Sequence, residues 1–217
     1  MSRMVLVIGN KNYSSWSFRG WLMVTHAGAA FDEVRIVLDE PATKQRILEH
    51  SPAGRVPVLR DGEVTVWESL AIGEYLAERF PAARLWPEDP EARAHARAVS
   101  AEMHAGFATL REAMPMNCRA HLPGKGRAPG VEHDIARIVA LWRHCRERYG
   151  AGGDMLFGEF GIADAMFAPV VTRFVTYGVA LDSVAREYAD AVWALPAVEA
   201  WVAAARAEPE RIESEEI

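Results

Sequence analysis

Two serines stand side by side near the N-terminus, in Tyr13-Ser14-Ser15-Trp16-Ser17-Phe18-Arg19. A hydroxyl that opens a helix can cap it, and it can also donate to an anion held at the free N–H groups of the first turn. A second cluster, Trp67-Glu68-Ser69, again sets a serine before an apolar helical pattern, now beside a carboxylate. This pair suits an amino-acid-like zwitterion: Ser69 and the helix N-terminus take its carboxylate, and Glu68 takes its ammonium. A third loop runs Ser51-Pro52-Ala53-Gly54-Arg55-Val56-Pro57. Proline drives the residue before it into an extended conformation, so the N–H and C=O of Val56 are set out to pair with a short peptide. Pro57 opens a strand pattern to which it has no N–H to give, a position suited to a cis bond close to a ligand. Together the three loops describe a site for a short peptide.

Other reactive side chains read more plainly. Cys118 and Cys145 form no C-x-x-C pair and have no histidines at ligand spacing, so they are expected to be idle or buried thiols, and no metal site is expected. His104, in Glu102-Met103-His104-Ala105-Gly106-Phe107, reads as a helix-packing histidine, with a general base as the alternative. Arg19 reads as an ion-pair residue on a helix surface. Asp164 opens an otherwise apolar helix, where a carboxylate serves the dipole and the cap.

The elements that must carry these loops follow from the pattern. Residues 4–8 form a short apolar run ended by Gly9-Asn10, which predicts a buried strand. A helix is expected over 14–28, a strand over 31–38, a short polar helix over 41–50 and a strand over 56–59. Asp61-Gly62 then turns the chain into a fourth strand, 64–67. A helix over 69–80 shows Ile72, Tyr75, Leu76 and Phe80 as one apolar stripe. The order is β-α-β-α-β-β-α over residues 1–80. Pro81, Pro87 and Pro90 punctuate a linker, 81–90, and residues 91–217 read as all-helical. Helices there are expected at roughly 88–114, 131–149, 162–177 and 196–207.

Composition narrows the function. The 217 residues are half apolar and a quarter charged, with a formal net charge of −6. Lys and Arg form no run, so neither a nucleic-acid footprint nor an anionic membrane surface is expected. The longest apolar stretch, 162–181, is interrupted by Asp164, Pro169 and Arg173, and reads as a core helix. Met1 to Met4 lack the apolar core of a secretion signal, so a cytoplasmic protein is expected.

With these residues in place, the chain resembles the cytosolic glutathione transferase superfamily over nearly its whole length. Ser14-Ser15-Trp16-Ser17-Phe18-Arg19 is similar to the Ser-Ser-Cys-Ser-x-Arg signature of the zeta class. Val56-Pro57 resembles the family's cis-proline element, and Glu68-Ser69 its γ-glutamyl clamp. Phe157-Gly158-x-x-Gly161-Ile162-Ala163-Asp164 resembles its capping motif in the sixth helix. The resemblance implies a thioredoxin-like N-terminal domain, an all-helical C-terminal domain, a homodimer, and glutathione as co-substrate with no metal. It implies glutathione contacts from Ser14, Ser15, Trp16, Val56, Pro57, Glu68 and Ser69. Lys44 would meet the glycine carboxylate, with a solvated lysine as the equal alternative.

Two departures refine this. Trp16 replaces the zeta cysteine, which weakens the case for an isomerase or a thiol-exchange enzyme. Gly161 replaces a Ser or Thr at the helix cap. The chemistry implied is thiol activation, in which a hydroxyl and a helix N-terminus stabilise a thiolate that attacks a small electrophile or a peroxide. Ser14 is the first choice for the hydroxyl and Ser15 the second. Trp16, Met103, Phe107, Leu110, Met114 and Met116 are expected near the domain junction, as an electrophile pocket or as plain interdomain core. Arg111 and Arg119 are candidates to select an anionic co-substrate. The alternatives are a glutathione-binding scaffold without chemistry, and a zeta-like isomerase or dehalogenase.

Overall fold

In a computed structural model describing residues 3–217, the apolar run Met4–Ile8 forms β1, the centre of a four-stranded sheet. Met1 and Ser2, at the start of the N-terminal stretch read above, lie outside the described residues. β2 (Phe31–Arg35) lies parallel to β1, and β3 (Val58–Asp61) lies antiparallel on its other side. β4 (Val64–Trp67) closes the hairpin through Asp61-Gly62, giving the order β2-β1-β3-β4.

Alternation along β1 decides which core each side chain enters. Met4, Leu6 and Ile8 face the large core, while Val7 joins Ile36, Ile47 and Val58 in a small one on the opposite face. α1 (Ser15–His26) and α3 (Ser69–Arg79) cover the first face, and α2 (Thr43–Leu48) brings Ile47 to the second. The ladder starts at Val58 rather than at Val56, because the cis Val56–Pro57 peptide leads the chain in and Pro57 has no N–H to pair. Gly20 lets α1 lie against that loop: a Cβ there would come within 3.0 Å of the Pro57 ring.

After a short 3-10 turn at Pro81–Ala83 the chain is helical. α4 spans Pro90–Ala105 and α5 spans Ala108–Ala113. Residues 88–114 were expected to form one helix. Instead the helix ends at Gly106, and Phe107 follows with φ +62°. The Arg111 side chain turns back to the carbonyls of Met103, His104 and Gly106, so a cation satisfies the free C-terminus of α4. α6 (Val131–Tyr149), α7 (Ile162–Tyr177) and α9 (Pro196–Ala207) match the pattern. α8 (Ser183–Trp193) was missed, although Ala185, Tyr188, Ala189 and Val192 form its buried stripe and Asp182 caps it.

α7 is buried along almost its whole length, and its start is held by Asp164. One carboxylate oxygen accepts from Gly161 N (2.9 Å) and the other from Leu156 N (3.0 Å). Gly161 is required by space, since a Cβ would come 2.8 Å from the Leu85 carbonyl that Ile162 N bonds. Complete burial pushes the Asp164 carboxyl from 3.8 up to about 6, against the two backbone donors that favour its charge.

The folded state therefore holds this proton up to a higher pH than the unfolded chain does. The contribution is fully present below about pH 4 and is lost as pH rises through about 6. Denaturant unfolding of the parent should show up to about 3 kcal/mol of such decline between pH 4 and pH 7 relative to Asp164→Asn. Equal slopes in the two proteins would contradict it.

Cys118 and Cys145 are free and buried, and burial pushes both thiols up to about 12. A disulfide-based thiol reagent should leave the native protein unlabelled over minutes and count two thiols in denaturant. Fast native labelling at either position would contradict this burial.

Candidate active site

Ser14 is the N-cap of α1, and its hydroxyl is occupied there. Its Oγ accepts from Ser17 N at 3.3 Å and donates to Ser17 Oγ at 2.8 Å. Ser17 Oγ also accepts from Gly9 N at 3.0 Å, which ties the end of β1 to the start of α1. Ser15 is the first residue of the helix, and its hydroxyl has no hydrogen-bond partner among the described residues. Its carbonyl accepts from Arg19 Nη1 at 3.2 Å.

A cleft of 340 Å³ lies between the sheet domain and α4. Trp16, Val56, Pro57, Glu68 and Ser69 line it, so three loops distant in sequence meet there; Ser14 and Ser15 are buried next to Trp16 in the chain and are not among the lining residues. Glu68 holds φ +68°, a backbone region that costs a non-glycine residue energy and collects at ligand sites. Ser69 is buried at the first turn of α3. His104 joins the cleft from α4: Nε2 lies 3.6 Å from Glu68 Oε2, and its ring meets the Trp16 ring edge-on at 5.1 Å. A packing histidine was expected, and its place in the cleft was not. Arg55, Trp67 and Ala105 also line the cleft and carried no sequence signal beyond adjacency to Val56, Glu68 and His104.

The remaining expected residues lie elsewhere. Lys44 is exposed on α2, outside the cleft lining. Met103, Phe107, Leu110, Met114 and Met116 are buried in the large core, and none lines the cleft. Of the two readings given to this group, interdomain core describes their packing. Long apolar side chains at a junction fill it, and nothing in their spacing distinguishes filling from lining.

The arginines depart furthest from expectation. Arg19 is fully buried rather than on a surface. Its Nε donates to Met166 O at 2.9 Å, and Nη2 is buried without a partner. Burial, then the charges of Arg111 and Arg173, hold its guanidinium well below the usual range. Burial likewise lowers Arg173 to about 10. The Trp16 ring lies 4.5 Å from the Arg19 guanidinium and 4.6 Å from that of Arg111. An indole face offsets part of the cost of two cations with little counter-charge nearby. Arg111 is otherwise spent on the carbonyls ending α4. Arg119 donates to Glu208 O, Glu210 O and Tyr13 Oη. Both were candidates to select an anionic co-substrate; Arg111 is occupied by main-chain oxygens, and Arg119 by main-chain, phenolic and Glu216 carboxylate oxygens.

Chemically, the cleft offers a helix N-terminus with a carboxylate at one wall and the main chain of Val56 before the cis peptide at another. Comparison with known proteins agrees with that construction. Residues 13–79 match the model of the glutathione S-transferase N-terminal domain, and residues 128–204 match that of the C-terminal domain. A maleylacetoacetate isomerase of Rattus norvegicus is 35% identical over 172 residues, 77% of each chain. The glutathione S-transferase GstB of Escherichia coli strain K12 is 33% identical over 145 residues, 61% of this chain and 64% of that one. Among solved structures, a Burkholderia glutathione transferase homologue with bound glutathione superposes with a TM-score of 0.72 at 26% identity, covering 95% of this chain and all of the other. With the mixed four-stranded sheet, the helical C-terminal domain and the loops meeting at one cleft, the chain belongs to the cytosolic glutathione transferase family.

Proposed function

We propose that this protein is a glutathione-dependent transferase in which the Ser15 hydroxyl, at the N-terminus of α1, stabilises the glutathione thiolate. The observation that carries the reading is the division of labour between the paired serines: Ser14 Oγ is occupied by Ser17, and Ser15 Oγ is free to donate. Glutathione lies along the cleft with its γ-glutamyl end at Glu68 and the N-terminus of α3, and its cysteinyl backbone pairs with Val56. The resulting order of preference, Ser15 before Ser14, reverses the one drawn from the zeta-like signature.

A free thiol titrates near ~8.5, so a hydroxyl donor and the N–H groups of α1 are needed to populate the thiolate at neutral pH. The thiol gives its proton to solvent. The thiolate then attacks the electrophilic carbon, and the leaving group departs with its bonding pair. An isomerase is the second reading, supported by the similarity to proteins named maleylacetoacetate isomerase. Trp16 at the position of the zeta cysteine argues for transfer instead. Pairing of two copies belongs to the proposal as well, supported by Val64, an apolar side chain exposed on the edge strand β4.

Titration of bound glutathione by its thiolate ultraviolet absorbance tests the assignment. Ser15→Ala should raise the bound thiol pKa by about 1 to 2 units toward the free value. Ser14→Ala removes the cap and the tie to Ser17, and should raise it less than Ser15→Ala does while costing about 1 kcal/mol of stability. The opposite pattern would assign the role to Ser14.

Glu68→Gln should raise KM for glutathione roughly tenfold, with a smaller change in kcat, because it removes a charge-assisted contact made before and during the reaction alike. A fall in kcat at constant KM would place Glu68 in the chemical step instead.

A further inference from the structure

Residues 11 and 12, in the loop that leads into the paired serines, are held by residues distant in the chain. All four main-chain polar groups of Lys11 and Asn12 are met by residues beyond 117. Lys11 N donates to Glu208 Oε1 at 2.8 Å, and Asn12 N donates to Glu208 Oε2 at 3.1 Å. Lys11 O accepts from Trp201 Nε1 at 3.0 Å, and Asn12 O accepts from Cys118 N at 3.4 Å. The Asn12 amide is bound as well, donating to Asn117 Oδ1 and accepting from Arg119 N.

Glu208 is the centre of this arrangement. It follows α9, its residue is 9% exposed, and its carboxylate spans two successive backbone N–H groups. Arg35 on β2 donates to the same carboxylate at 3.3 Å and forks onto Glu210 at 2.8 and 3.0 Å. Arg119 bonds the carbonyls of Glu208 and Glu210. Further on, Glu216 Oε1 accepts from Tyr13 Oη at 2.5 Å, and Arg119 Nη2 donates to the same oxygen of Tyr13 at 2.7 Å. The segment after α9 therefore closes over residues 11–13 at both its ends.

We propose that Glu208 is a positioning residue for thiol activation: through the backbone of Lys11 and Asn12 it fixes where the N-terminus of α1, and with it Ser15, meets the glutathione sulfur. The inference rests on the serine reading given above. The geometry sets the size of the effect. Glu208 does not line the cleft, and the hydrogen bonds its oxygens accept come from Lys11, Asn12, Arg35 and Arg119, none of which lines it, so its loss acts by letting the loop drift. A displacement of about 1 Å at a reacting centre costs up to a hundredfold in rate. The same drift leaves the γ-glutamyl clamp at Glu68 and Ser69 in place, so binding is spared.

The test compares the parent, Glu208→Gln, Ser15→Ala, the double variant and Asp182→Ala. Asp182 caps α8 far from the loop, and its variant measures the consequence of lost stability alone. The readouts are the pKa of bound glutathione from thiolate absorbance, the Kd for glutathione from calorimetry, and kcat with an aryl halide. Glu208→Gln is expected to raise the bound thiol pKa by about 0.5 to 1 unit and lower kcat roughly tenfold. Its Kd should stay within about threefold of the parent, and Asp182→Ala should change none of the three. In the double variant the pKa shift should fall short of the sum of the two single shifts, because both act on one contact. Strict additivity would overturn the coupling to Ser15, and an unchanged pKa and kcat in Glu208→Gln would overturn the proposal. A loss of affinity in proportion to kcat would reduce Glu208 to a structural strap. If Ser15→Ala alone leaves the pKa unchanged while Glu208→Gln raises it, the serine reading fails and the positioning role stands, acting on the N–H groups of α1. Should Glu208→Gln not fold, Tyr13→Phe removes the second tie at Glu216 and Arg119 and should give the same signs; an unchanged pKa and kcat there would overturn the proposal equally.

Discussion

The arrangement of the candidate site depends on a chain of three short contacts: Gly9 N to Ser17 Oγ, Ser14 Oγ to Ser17 Oγ, and Ser17 N to Ser14 Oγ. It couples the C-terminal end of β1 to the first turn of α1, so the helix cannot shift along the sheet without breaking it. It also satisfies a buried polar turn internally, which a buried turn requires. Because Ser14 and Ser17 satisfy each other, Ser15 is the member of the pair whose hydroxyl has no partner among the described residues, which is the condition the proposed thiolate contact needs. Gly20 then permits α1 to lie against Pro57, and this approach brings the Val56 backbone to the same cleft as Trp16.

Around this centre the electrostatics are lopsided. Arg19, Arg111 and Arg173 lie near one another under the start of α1 with few carboxylates among their influences. Their guanidiniums are held by carbonyl oxygens of Ser15, Met103, Met114, Met166 and Pro169 and by the Trp16 ring. A residue that binds two cations through its π face could not be exchanged for a cysteine without exposing both to an unpaired interior. Trp16 is thus part of the site's support, and its presence where the zeta signature has a cysteine has a physical reason within this chain.

Much of this was readable in the sequence. The succession of strands and helices in the first domain, the hairpin at Asp61-Gly62 and the Asp164 cap rest on local signals of periodicity, turn chemistry and capping, whereas the grouping of the Ser14-Ser15, Val56-Pro57 and Glu68-Ser69 loops rested on their combined chemistry and the family resemblance. What escaped the sequence depends on long-range packing. Arg19 has the composition of a surface residue, and only the approach of Met166 from α7 makes it a buried one. The break at Gly106 is set by Arg111 folding back on α4, which no period reveals. Which serine is free was likewise undecidable, since the two neighbours differ only in how Ser17 turns. Glu208, with 196 residues between it and Lys11, left no signal at all. By contrast α8 carries two local signals, the stripe of Ala185, Tyr188, Ala189 and Val192 and the Asp182 cap.

The assignment of the thiol-activating hydroxyl is the claim on which the functional account turns. A crystal structure of the protein with glutathione measures it directly. The account predicts the glutathione sulfur within about 3.5 Å of Ser15 Oγ, with Ser14 Oγ still bonded to Ser17. A sulfur on Ser14 Oγ, or one that meets neither hydroxyl, would contradict it.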